Sequence, residues 1–272
     1  MENILAYGFM QRALLAGLFI ALACAILGVF LVLRRDAMIG HGLAHITFGG
    51  VALGLFLETK PLLIALTVVV LCSLIILKLR EKAGMYEDTA IGIFSSAGMA
   101  VGIILATLSG KLNVDLFSYL FGSILAIEKF EVGIAVTLAL AVIIIVGIFY
   151  QEFLYQTFDT ESARTSGIRV GLLDGILAVL TSVTIVIGMK VVGILLVAAL
   201  IVIPSAAGLQ LANSFKQAMV LSSIVSMSSV ITGLFVAYYW DLPASGTIIL
   251  LSFLVFLIFG GIRLIKKTTS IE

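Results

Sequence analysis

Charge is what this sequence has least of: Asp, Glu, Lys and Arg make up 11% of its 272 residues, against roughly 25% in an ordinary soluble domain. That scarcity excludes water as the main solvent. Basic and acidic residues nearly cancel, leaving a formal net charge of +1, and this excludes a nucleic-acid partner, which needs a basic face to neutralise phosphates. The two cysteines, Cys24 and Cys72, lie inside apolar runs without CxxC spacing. They support neither a disulfide framework nor a thiolate metal site and read as small buried hydrophobes. Proline occurs at three positions only. Pro61 falls in the first turn of a span and Pro243 in a loop, where a missing N–H is harmless. Pro204 is mid-span, and the backbone groups it frees must be satisfied by neighbouring helices, water or Ser205.

Several chemical signatures are missing as well. No GxxxxGK[ST] phosphate loop occurs, so any ATP used must be hydrolysed on another chain. The glycine-rich stretches lack the strand and the ribose-binding acid of a dinucleotide site. His41-Gly42-Leu43-Ala44-His45 has zinc-protease spacing but no glutamate after the first histidine, which disfavours a peptidase. Two histidines four apart on one helix cannot take both axial positions of one haem. An enzyme is not expected.

What is abundant is apolar surface, at 62% of residues. A helix crossing the bilayer needs about 20 mostly apolar residues, and nine stretches qualify: 9–33, 38–57, 61–80, 91–108, 130–150, 171–189, 191–212, 218–239 and 244–264. The fold class is therefore all-α and polytopic, a single transmembrane domain over 1–272. The first run is too long for a signal-peptide core and ends in Arg34-Arg35 without a cleavage site, so it is read as a retained span. The weakest break is at Met189-Lys190, and a re-entrant arrangement there would leave eight spans. A shorter apolar piece from Leu112 to Ile127, with Asp115 and Gly122 inside it, reads as an interfacial or re-entrant helix. With the N-terminus outside and the C-terminus cytoplasmic, 11 basic residues fall inside and 5 outside, as the positive-inside rule requires in a cell membrane.

The longest inner loop, 151–170, is polar and mixed in charge. It is expected to hold a short surface helix capped by Asp159 or Thr160, with Ala163 on one face and Gly167 as its stop, projecting towards a cytosolic partner. A solvated connector is the plainer alternative.

Two histidines are all the chain has, and they are one helical turn apart on one face of a span. Ionisable groups within a membrane mark functional sites, and imidazole suits zinc and other later transition metals. His41 and His45 are the candidate metal residues; two neutral histidines bonded across helices are the alternative. The same span is rich in small residues, and Gly50 and Gly54 form a GxxxG spacing for close helix packing. A secondary transporter would need carboxylates at span centres for ion coupling, whereas Asp115, Glu131 and Asp174 sit near predicted ends. A structural membrane subunit of a redox complex is a second rival, and a Soret band would mark it.

Ordered blocks over 14–264 resemble the permease subunits of metal-ion ABC importers, the zinc/manganese/iron branch. The blocks are Arg34 to His45, Gly50 to Gly54, Phe121-Gly122-Ser123-Ile124-Leu125, Asp159 to Gly167, Val192 through Pro204, and Asp241 to Gly246. The resemblance implies a permease of the type II ABC importer kind, working as a homodimer with cytosolic ATP-binding cassette subunits and an external or periplasmic metal-binding protein. It assigns Asp159, Ala163 and Gly167 to ATPase coupling and His45 to the metal path, with no permanently bound cofactor. The family commonly has aspartate at the position of His41 and often proline at that of Gly49. Imidazole in place of carboxylate leaves a nitrogen-only pair, which should favour zinc over manganese.

Overall fold

Apolar runs too long for a soluble core must form helices, because only internal backbone bonding satisfies N–H and C=O groups in lipid. The computed structural model describes residues 7–83, 85–108, 119, 122 and 127–269, and among them it is all-α. In chain order the helices are α1 Gly8–Leu33, α2 Met38–Phe56, α3 Pro61–Ala83, α4 Glu87–Leu108, α5 Lys129–Ile148, α6 Tyr150–Phe158, α7 Thr160–Thr165, α8 Val170–Val192, α9 Ile194–Leu211, α10 Phe215–Trp240 and α11 Ala244–Thr269. Among the described residues, nine of these are long and apolar enough to cross a membrane; α6 and α7 are not. The 112–127 piece lies almost wholly outside the described residues.

Two departures from the expected spans have physical reasons. Helix α8 runs on past Lys190 and breaks at Gly193, whose φ of +93° favours glycine. Lys190 belongs to the last turn of α8 and pairs with Glu131 of α5, so the basic residue extends the helix rather than separating two. The nine expected spans stand among the described residues, and the eight-span alternative does not arise. The polar 151–170 segment is also more ordered than expected, since its first half forms α6. The cause is an apolar face: Phe153 is buried with its ring 5.4 Å from Phe30 of α1.

Helix ends are sharply turned. At the α1–α2 corner Asp36 N–H bonds Leu31 O at 2.8 Å and Arg35 N–H bonds Val32 O at 3.2 Å around a left-handed Arg35, a Schellman stop built without glycine. Glu58 and Asp241 do the same after α2 and α10.

Helix α1 is buried along most of its length and packs on α5, α8, α9 and α10. Helix α2 lies between α3 and α4, and α9, α10 and α11 form a further group. Leu63, Leu71 and Ile75 of α3, Ile103 and Ile104 of α4, and Leu250, Leu254 and Leu257 of α11 point outwards, a belt that demands an apolar surrounding.

Candidate functional site

The sharp α1–α2 turn starts α2 with Ile39 N–H bonded to Asp36 O at 3.0 Å, and the helical period then sets His41 and His45 on one face. Their Nε2 atoms are 3.0 Å apart and their rings meet edge to face at 4.6 Å. Two nitrogens bound to one tetrahedral zinc at about 2.05 Å would be about 3.3 Å apart, so the pair is already near a chelating spacing. His41 is exposed and His45 half-buried, in an open groove with Ser95, Ser96, Met99 and Ile103 of α4. Among the described residues no third His, Cys, Asp or Glu joins them. One copy of the chain thus presents two donors on an open face, and a tetrahedral ion would need the rest from elsewhere.

Behind the histidines the helix is packed backbone to backbone. A Cβ on Gly50 would stand 2.7 Å from Ala65 Cα, and one on Gly54 2.5 Å from Pro61 Cα, so both glycines of the GxxxG face α3. Gly49 abuts the Gly98 carbonyl of α4. Pro204 is buried mid-way along α9. The hydroxyl of Ser205 donates to Ala25 O of α1 at 3.3 Å. It ties two helices together rather than serving the backbone that Pro204 frees.

The short helix α7 is built as its sequence suggests. Asp159 is its N-cap, accepting the Ser162 N–H at 2.9 Å and the Ser162 hydroxyl at 2.6 Å. The hydroxyl bond, then the backbone bonds, hold the Asp159 carboxyl below its ordinary pKa. Ala163 is fully buried, and Gly167, at φ +87°, ends the helix as Ile168 N–H bonds Ala163 O at 3.1 Å. Glu161, Arg164 and Thr165 stay exposed.

Sequence reasoning missed two ionic clusters. At the end of the bundle carrying α6 and α7, Arg34 pairs with Asp174 of α8, whose Oδ1 also accepts the Gln156 amide of α6 at 2.6 Å. Asp36 lies 3.5 Å from Arg34 Nε and 3.5 Å from Arg80 of α3. At the opposite end Glu131 pairs with Lys190 and completes a capping box with Glu128. The only signal was a carboxylate near the end of each predicted span.

A family model described as the ABC 3 transport family matches residues 6–261. The manganese transport system membrane protein MntC of Listeria innocua is 32% identical over 258 residues, covering 95% of this chain and 92% of that protein. The high-affinity zinc uptake system membrane protein ZnuB of Haemophilus influenzae is 32% identical over 249 residues, covering 90% and 94%. The solved structure of PsaBC from Streptococcus pneumoniae in complex with Fab superposes with a TM-score of 0.83 at 31% identity, over 93% of this chain and 91% of that one. A helical bundle with nine candidate spans, matched along nearly its whole length by this family, leaves one assignment: the chain belongs to the ABC 3 transport family.

Proposed function

We propose that this chain is the membrane-spanning permease of an ATP-driven importer for a divalent transition metal, with zinc as its preferred ion. The observation that carries the reading is the His41–His45 pair, two imidazole nitrogens 3.0 Å apart on an open helix face. Relatives named for manganese and for zinc transport support the metal class, and the choice of zinc rests on the nitrogen-only donor set. Two copies related by a two-fold axis would bring four such nitrogens together, enough for a tetrahedral site that holds the ion in passing. An external binding protein delivers the ion. Cytosolic ATPases dock on the 151–170 segment through the exposed face of α7, and their closure rocks the two permeases to expose the ion inward. The chain itself hydrolyses nothing. The basic-residue bias sets the N-terminus outside and the α6–α7 end in the cytoplasm.

A secondary transporter is disfavoured by the charges now paired: Glu131 is engaged by Lys190 and Asp174 by Arg34, which removes both from service as coupling groups. The test is uptake into sealed vesicles holding this chain with its ATPase and binding protein, for wild type, His41→Ala and His45→Ala. ATP-dependent uptake that collapses in the variants, with assembly intact, is the expected result. Uptake without ATP overturns the importer reading; uptake indifferent to both substitutions discards the histidine site. Manganese strongly preferred over zinc overturns the metal assignment alone.

A further inference from the structure

We infer that Gln156, Asp174 and Arg34 form a mechanical joint through which displacement of the α6–α7 segment is passed to α2 and its histidines. The inference rests on the importer reading above and names positioning residues that it leaves unassigned.

Three elements distant in sequence converge on one carboxylate. Gln156, fully buried on α6, donates its amide N–H to Asp174 Oδ1 at 2.6 Å, and Arg34 Nη2 donates to that same oxygen. Arg34 is the C-cap of α1. Its Nε faces Asp36 at 3.5 Å, and Asp36 O accepts the N–H of Ile39 in the first turn of α2 at 3.0 Å. His41 follows five residues after Asp36. From α6 to the metal-site helix the path therefore runs Gln156, Asp174, Arg34, Asp36, with polar or ionic contacts throughout. Arg80 on the far side of Asp36 links the same corner to α3.

Charges largely shielded from water and joined this way resist separation, because breaking one pair leaves the other charge unpaired in a low dielectric. An element that moves Gln156 must then carry Asp174 and Arg34 along or exchange their partners. The joint has such an exchange available. Arg34 Nη1, a donor, and Gln156 Oε1, an acceptor, are buried without hydrogen-bond partners among the described residues. Both belong to groups that already meet at Asp174. A shift of α6 towards Arg34 would pair them directly, giving the corner two discrete arrangements, which is what transmission between distant sites requires. A cleft lined by Arg34, Arg80, Glu81, Thr160, Arg164 and Asp174 opens beside the joint, between α7 and α3.

The test is metal imported per ATP hydrolysed in the assembled transporter, for wild type, Gln156→Met, Asp174→Asn and the double variant. Both substitutions keep side-chain volume, and either one that assembles decides the matter. Expected is ATP hydrolysis near the wild-type rate with metal per ATP lowered about fivefold or more, and a double variant no worse than the stronger single one, as for two members of one joint. A merely structural role would lower uptake and hydrolysis together. An unchanged ratio in an assembled variant overturns the joint while leaving the importer intact. Wild type that imports no metal with ATP overturns the importer reading, and the joint falls with it.

Discussion

Two groups of helices in this protein are held together by different means. In the scaffold of α1, α9 and α10, hydroxyls cross between helices: Ser226 donates to Ala21 O at 3.0 Å, Ser205 to Ala25 O at 3.3 Å, and Ser222 to Ser205 O at 3.4 Å. In the group of α2, α3 and α4 the hydroxyls of Thr47, Thr67 and Ser95 turn back onto their own helices, and contact between helices is made by glycine against backbone. Directional bonds fix a relative position, whereas shape alone permits a glide along an apolar face. His41 and His45, the proposed metal residues, lie on the second group. A bundle can thus hold one part still and leave another, here the part proposed to meet the ion, freer to move.

The comparison can be broken or sharpened by experiment. The largest effect is expected from His41→Ala and His45→Ala. Both rings lie on an open face, so each variant should lose uptake by at least about tenfold, the lower bound even for groups one shell out from a metal. Its melting temperature in detergent should stay unchanged; a large drop would move the pair from the chemistry to the packing. Next come the glycines. A Cβ on Gly28 would meet the Ile201 carbonyl in the scaffold and one on Gly49 the Gly98 carbonyl in the second group. Overpacking costs about 1–3 kcal/mol in general. Gly28→Ala should lower the melting temperature more than Gly49→Ala, because α4 has an open outer side towards which it can yield. Equal losses would erase the distinction between the groups.

Smaller still is the loss from removing one crossing hydroxyl. Ser226→Ala should cost about 0.6 kcal/mol, the average for such bonds in membrane helices, while Thr47→Val, whose hydroxyl bonds its own helix, should be nearly silent in the same denaturation assay. The smallest effect concerns α7. Since its folded-state pKa is depressed, the Asp159 cap contributes stability above the ordinary carboxylate pKa and loses it as pH falls through the lowered value. Hydrogen exchange at the Ser162 amide should accelerate in that acidic window, and Asp159→Ala should show the fast rate at neutral pH.

What could be read from the sequence was whatever depends on near neighbours. The spans follow from apolar runs, the histidine face from a spacing of four, and α7 from an Asp cap at 159 and a Gly stop at 167. Contacts that join distant segments left no such trace. Arg34 and Asp174 are 140 residues apart, and Arg34 reads by itself as a topology marker. The stops at Arg35, Glu58 and Asp241 were invisible because a left-handed residue other than glycine carries no compositional signal. Helix α6 was hidden by the polar residues around Phe153, whose burial depends on Phe30 lying opposite.

Among the described residues, one copy of this chain sets two imidazole nitrogens side by side with no third His, Cys, Asp or Glu beside them. On the proposed two-fold arrangement that is half a coordination sphere, and the division has a kinetic meaning. A cage formed by one chain must shed its ligands one after another before the ion leaves. A sphere divided between two bodies is dismantled at once when they part, so release needs neither a competing ligand nor a proton. On that arrangement the ion would depart at the rate at which the two faces separate, and tight capture and quick delivery would cease to oppose each other.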